Sequence, residues 1–131
     1  MHPKNKVLFD SSALLTLIQE EKGYEILQDI SATITMSSVN LGDVIAVLTR
    51  TGIPAHKIRE ILDSTGADII SFNEKEAILS GSLITKTKPF GLSFGDRACI
   101  ATGIIYGLKV YTTDKAWNNL EVDGLELVMV R

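Results

Sequence analysis

The sequence has a single cysteine and no long apolar run. Cys99 cannot form an internal disulfide and lies in the apolar stretch ACIA, so we expect a buried free thiol in a reducing compartment. No stretch approaches the roughly 20 apolar residues that span a membrane. The opening MHPKNKVLFD also lacks the apolar region and cleavage site of a signal peptide. These absences predict a cytoplasmic protein with no membrane partner.

Excess basic charge and nucleotide-binding loops are missing as well. The chain has 13 Lys and Arg against 16 Asp and Glu, a net charge of −3. This excludes binding to nucleic acid through overall charge, so any such contact must be local. Neither a Gly-x-x-x-x-Gly-Lys-Ser/Thr loop nor a Gly-x-Gly-x-x-Gly turn is present, which argues against a nucleotide cofactor. The length of 131 residues fits one domain, 1–131.

Short runs rich in β-branched residues alternate with stretches of helical periodicity. Strands are predicted at 6–10, 32–38, 67–72, 109–114 and 125–130. Apolar spacing predicts amphipathic helices at 40–50 and 55–65, and a further helix from Ser93 to Gly107. This alternation predicts a doubly wound α/β domain whose parallel sheet is covered on both faces.

Aspartates stand where these strands end or helices begin. Asp10 ends the first strand, Asp114 ends the fourth, and Asp43 and Asp96 open helices. Parallel α/β sheets bind ligands beyond the carboxyl ends of their strands, so we expect these acids at one edge. Two unit charges about 4 Å apart repel by roughly 4 kcal/mol at an effective dielectric near 20. Mg²⁺ or Mn²⁺ would relieve that repulsion.

Helix capping is the alternative explanation for each of these acids. Ser93 and Asp96 have the spacing of a capping box, Asp43 follows Asn40 at the same spacing, and Asp10 or Asp114 could be N-caps. The other acids, such as Glu74 and Glu76, are expected on solvated helix faces.

The segments VLFDSSALLTLI, SSVNLGDVIAVL, GLSFGDRACIATG and VYTTDKAW follow one another along nearly the whole chain. Together they resemble the PIN-domain ribonucleases, and specifically the VapC toxins of bacterial toxin–antitoxin pairs. The resemblance implies a three-layer α/β/α sandwich with a five-stranded parallel sheet. It also implies endoribonuclease activity on RNA with Mg²⁺ or Mn²⁺, homodimerisation, and inhibition by a cognate antitoxin.

The resemblance also assigns site residues. The catalytic acids would be Asp10, Asp43, Asp96 and Asp114, and the supporting residues Ser11, Thr112 and Arg97. We expect Asp10, Asp96 and Asp114 to hold the metal, which lowers the pKa of a bound water for in-line attack on phosphorus. The phosphate contacts would be Lys86, Lys88, Arg97 and Lys115.

The sequence departs from the family pattern at the second acid, which is usually Glu and is Asp43 here. Asp reaches one methylene less far than Glu, and Mg²⁺ tolerates little stretching of its ligand distances. We therefore expect Asp43 to act through a metal-bound water.

Two other functions remain open. Asp10 could carry a phosphoryl group in a phosphotransfer domain, although Ser12 stands where such a phosphatase would need a second acid. Alternatively, the chain could be a catalytically silent dimeric interaction module whose acids only stabilise helix starts. Such a module should bind no divalent metal.

Overall fold

A computed structural model describes residues 5–131, and the first four residues of the opening segment lie outside it. The strands are β1 (Lys6–Phe9), β2 (Thr33–Ser37), β3 (Asp68–Ile70), β4 (Lys109–Thr112) and β5 (Glu126–Met129). The α-helices of this range are α1 (Ser11–Gln19), α2 (Tyr24–Gln28), α3 (Ser38–Arg50), α4 (Ala55–Thr65), α5 (Glu74–Ser82), α6 (Ile84–Thr87) and α7 (Phe94–Tyr106). Short 3-10 helices span Lys88–Phe90 and Lys115–Trp117.

The strands form one five-stranded sheet in the order β3-β2-β1-β4-β5. Every neighbouring pair is parallel, which confirms the predicted parallel sheet. The chain moves outward from β1 to β3 and then returns to the other side of β1 as β4. Strand order therefore reverses between β1 and β4, where open α/β sheets bind their ligands.

Helices cover both faces of the sheet. Val7 and Phe9 pack on one face with residues of α1 to α4, including Leu14. Leu8 points to the other face and packs with α7 and with Trp117, because successive side chains of a strand point to opposite sides. The predicted three-layer α/β/α sandwich is confirmed. Trp117, the only tryptophan of the chain, is fully buried in the second core.

The start of α3 differs from the prediction. Helix α4 covers the predicted residues 55–65, but α3 begins at Ser38, two residues before the predicted start. The Ser37 side chain caps α3 by accepting a hydrogen bond from the Val39 backbone N–H at 3.2 Å. Asp43 consequently lies in the second turn of α3, and the expectation that it opens this helix is wrong.

Of two buried side chains, one was expected to be buried and the other was expected to be exposed. Cys99 lies in α7 and is fully buried, as predicted. Glu76, expected on a solvated face, is only 1% exposed and accepts a hydrogen bond from the Tyr106 hydroxyl at 3.1 Å. Helix α5 packs against α7, which covers this face of α5. Within residues 5–131, no helix has both the length and the apolar character needed to cross a membrane.

Candidate active site

Asp10 directly follows β1 and is the N-cap of α1. Its Oδ1 accepts hydrogen bonds from the Ala13 backbone N–H at 2.8 Å and from the Ser12 hydroxyl at 2.7 Å. Its Oδ2 accepts a hydrogen bond from the Thr112 hydroxyl at the end of β4. The side chain is only 3% exposed. Asp10 therefore caps a helix as expected, but its bond to Thr112 also links the two strands at the reversal of strand order.

Hydroxyl groups from α1 and from β4 hold this carboxylate. Ser12 Oγ lies 3.2 Å from Thr112 Oγ1 and accepts a hydrogen bond from the Thr113 backbone N–H at 3.0 Å. Thr112 Oγ1 accepts a hydrogen bond from the Asp114 backbone N–H at 3.1 Å. The loop after β4 is thus tied to the first turn of α1, and Thr112, which was predicted as a supporting residue, contacts one of the predicted acids.

Ser12 is a site residue that the sequence reasoning missed. The prediction named Ser11, which makes no side-chain hydrogen bond within the part of the chain that the structure describes, so its supporting role stays a prediction. The available signal was position, because a Ser two residues after an N-cap acid can reach back to the side chain of that acid.

Burial raises the pKa of Asp10 from 3.8 to about 6. Hydrogen bonds from Thr112, Ser12 and Ala13 oppose this rise because they stabilise the carboxylate, while the negative charge of Asp96 adds to it. The charge of Asp96 thus acts on Asp10 although Asp10 caps α1 and Asp96 lies in the first turn of α7.

Asp96 occupies the first turn of α7. The Ser93 hydroxyl accepts a hydrogen bond from the Asp96 backbone N–H at 3.2 Å, and Asp96 Oδ2 accepts one from the Ser93 backbone N–H at 2.8 Å. The predicted capping box is confirmed. The box holds one carboxylate oxygen of Asp96 at the start of α7.

Helix α3 brings Asp43 to the same end of α7. A Cβ on residue 95 would lie 2.7 Å from Asp43 Oδ2, so this carboxylate fills the space beside Gly95. The Asn40 side-chain amide donates a hydrogen bond to the Gly95 carbonyl at 3.0 Å. Because Gly95 precedes Asp96, Asp43 of α3 lies against the residue next to another predicted acid, on α7.

Asp114 follows β4 after one further residue, because β4 ends at Thr112 and not at 114 as predicted. Its Oδ1 accepts a hydrogen bond from the Ala116 backbone N–H at 2.9 Å and caps the 3-10 helix that follows. The expected N-cap role of Asp114 is confirmed, and the residue lies at the β4 end of the site.

The donor chemistry of this edge suits Mg²⁺ or Mn²⁺, because carboxylate oxygens are the ligands that such hard cations prefer. However, no three Asp, Glu, His or Cys side chains within residues 5–131 are grouped as ligands of one ion. The direct metal set of Asp10, Asp96 and Asp114 stays a prediction. Each of these three carboxylates turns at least one oxygen toward the start of the helix that it caps or opens.

The predicted phosphate-binding residues belong to several elements of the chain. Arg97 Nε donates a hydrogen bond to the Ser80 carbonyl of α5 at 3.1 Å, and its guanidinium carbon lies 5.9 Å from the centroid of the Phe94 ring. Over residues 5–131, the single ion pair joins Arg59 to Asp63, so Arg97 pairs with none of the described acids. Exposed side chains that could meet phosphate are those of Lys86, Lys88 and Lys115.

A family model described as PIN domain matches residues 7–122. No curated protein sequence matches the chain. Among solved structures, VapBC2 from Rickettsia felis, bound to a DNA fragment from its promoter, is similar with a TM-score of 0.75 and 17% identity over 96% of this chain and 99% of that one.

Two further solved structures have the same fold. DNA-bound VapBC from Salmonella typhimurium gives a TM-score of 0.74 at 14% identity, covering 97% of this chain and 99% of that one. VapC20 from Mycobacterium tuberculosis, described as a sarcin-ricin loop cleaving toxin, gives 0.67 at 14% identity, covering 90% and 92%.

Proposed function

We propose that this chain, which belongs to the PIN domain family, is a metal-dependent endoribonuclease and the toxin of a toxin–antitoxin pair. The observation that carries the proposal is the buried Asp10 carboxylate, which stands where strand order reverses and is repelled by Asp96. Burying an acid beside another acid opposes folding, and such perturbed groups cluster at functional sites.

Asp10 and Asp96 would hold Mg²⁺ or Mn²⁺, while Asp43 and Asp114 would reach it through water. When bound, the ion supplies positive charge that lowers the pKa of water and neutralises charge on the phosphate. Mg²⁺ commonly takes one or two carboxylates and keeps several waters, so a site without three grouped acids still fits it.

The side chains around these acids hold them in place. Ser12 and Thr112 each fix one oxygen of the Asp10 carboxylate, and the capping box fixes Asp96. Water would attack phosphorus as the bond to the 3′ oxygen breaks, leaving a 5′ phosphate and a 3′ hydroxyl. The phosphates of the RNA would be contacted by Lys86, Lys88, Arg97 and Lys115, with Arg97 using guanidinium nitrogens other than the Nε bonded to Ser80.

The phosphotransfer alternative fits the geometry less well. A phosphatase of this kind would need a second acid two residues after the nucleophile, but Ser12 occupies that position and donates a hydrogen bond to Asp10. The interaction-module alternative leaves the buried charge of Asp10 without a role, because capping α1 needs no burial.

The partners that we propose are a cognate antitoxin and a second copy of this chain. Two of the similar structures are VapBC complexes bound to DNA, which supports an antitoxin partner. Co-expression with a small protein encoded by a neighbouring gene should yield a stable complex that no longer cleaves RNA, and light scattering of the free chain should give the mass of a dimer.

The proposed activity is tested with purified protein and a labelled RNA, in Mg²⁺, in Mn²⁺ and in chelator. We expect cleavage only with metal and only 5′-phosphate ends at the new termini. The Asp10→Asn variant is the control for a contaminating nuclease, because it replaces one carboxylate oxygen with an amide group and keeps the shape of the side chain. Full activity in chelator, or 2′,3′-cyclic ends, would overturn the proposal.

A further inference from the structure

The contact between α3 and α7 is made by a small set of residues around Gly95. The Asn40 side chain is 1% exposed and donates its only hydrogen bond within the described residues to the Gly95 carbonyl. Asp43 Oδ2 occupies the space that a Cβ on residue 95 would need. Two side chains of α3 therefore meet one residue of α7, immediately before Asp96.

Stability alone does not account for this arrangement. The Asn40 Oδ1 atom is buried and has no hydrogen-bond partner among residues 5–131. A half-satisfied buried amide opposes folding, as does a glycine in place of alanine within a helix. Helix α7 nevertheless has Gly95 in its first turn, next to a carboxylate that a side chain would displace.

We propose that Gly95 and Asn40 are positioning residues of the active site: the missing side chain at 95 lets the short Asp43 carboxylate lie beside Asp96, and Asn40 fixes the spacing of the two helices. The inference rests on the proposed nuclease function of these acids. It makes position 95 the determinant of which acid works at position 43. With glycine at 95 the short aspartate fits, whereas a larger residue at 95 requires the longer glutamate.

This pairing predicts a reciprocal pattern in four proteins: the parent, Gly95→Ala, Asp43→Glu and the double variant. In Gly95→Ala the new Cβ meets the end of a flexible side chain, so the carboxylate moves while the fold remains. Asp43→Glu adds a methylene of about 1.5 Å, which carries the carboxylate away from the position beside Gly95 that the aspartate occupies. Each single change should lower RNA cleavage per folded molecule about 10- to 100-fold, because small displacements of catalytic groups have effects of that size.

The double variant should recover cleavage to within about threefold of the parent, since the longer acid reaches past the added Cβ. Mn²⁺ affinity by calorimetry should show the same loss and recovery, and thermal unfolding should show that all four proteins are folded. The matched control is Gly42→Ala on α3, where a Cβ would meet nothing within 4 Å. It should keep both cleavage and affinity. If Gly95→Ala fails to fold, Asn40→Ala should show the same loss of Mn²⁺ affinity.

Additive losses in the double variant, or a Gly95→Ala protein as active as the parent, would overturn the inference. A parent that binds Mn²⁺ but does not cleave RNA would refute the proposed function alone, and the four affinities would then decide the positioning role by themselves. A parent that binds no Mn²⁺ refutes both.

Discussion

At the edge between β1 and β4, Asp10 is 3% exposed and accepts hydrogen bonds from two elements that are distant in sequence. At the contact between α3 and α7, by contrast, Asp43 is exposed and lies against Gly95. The first acid is controlled by its environment, because burial raises its pKa and hydroxyl groups fix its orientation. In the arrangement that we propose, the second acid depends on the distance between two helices. The proposed site would thus prepare its acids by two physical means, each sensitive to a different kind of substitution.

The largest difference between the two regions should appear in cleavage. Asp10→Asn removes the charge of the central acid and should lower the rate per folded molecule by about 1,000-fold or more. Asp43→Asn should lower it by only about 10- to 100-fold if Asp43 acts through water, as we propose. Single-turnover cleavage of a labelled RNA measures both rates. Equal losses would show that the two acids bind the metal in the same manner.

The next effect is on stability and concerns Asp10 alone. In the unfolded chain Asp10 loses its proton near pH 3.8, and in the folded protein near pH 6. Between these values the folded state binds more protons, so the parent loses stability as pH rises, and the loss is complete above the folded pKa. Without metal, the free energy of unfolding of Asp10→Asn should therefore rise relative to that of the parent by about 3 kcal/mol from about pH 3.5 to about pH 8.

Urea unfolding at the two pH values measures this difference. The control is Thr102→Val, which removes no titratable group and should therefore give a difference from the parent that stays constant with pH. A constant difference for Asp10→Asn would mean that burial does not control this acid.

A smaller effect is expected from Thr112→Val, which keeps the side-chain shape but removes the hydroxyl bonded to Asp10. We expect a loss of about 2 kcal/mol in unfolding free energy and a further rise in the pKa of Asp10, because a bond to a charged group is lost. Carboxyl NMR titration measures the pKa. Thr102→Val is the matched control, since Thr102 is equally buried but donates to the Ala98 carbonyl, so it should leave the pKa of Asp10 unchanged.

The smallest expected effect distinguishes two adjacent serines. Ser12→Ala removes a hydrogen bond to Asp10 and should lower the unfolding free energy by about 1 kcal/mol, whereas Ser11→Ala should lower it by less. Chemical denaturation of both variants in the same buffer makes the comparison. A larger loss for Ser11→Ala would contradict the observed network and support the role that the family resemblance gives to Ser11.

Features that depend on neighbouring residues could be predicted from the sequence. The bounds of α4, the five strands and the capping box of Ser93 and Asp96 agree with local periodicity and spacing. The acids at strand ends followed from topology, because parallel strands bring their carboxyl ends to one edge.

Features that depend on packing between distant segments could not be predicted. Glu76 is buried because α5 meets α7, and Arg97 turns toward Ser80 for the same reason. The contact of Asp43 with Gly95 joins residues more than 50 positions apart, and nothing in either local pattern indicates it. The capping roles could be predicted from local spacing, but the orientation of the carboxylates relative to one another could not.

The burial of Trp117 has a practical consequence for these measurements. It is the only indole of the chain, it lies in the apolar core, and its 3-10 helix begins directly after Asp114. An indole in apolar surroundings emits at shorter wavelength than one in water, so intrinsic fluorescence reports global unfolding without any label. Trp117 follows Asp114, one of the proposed site acids, by three residues. Its emission should therefore also change when Mg²⁺ binds at the β4 end of the proposed site.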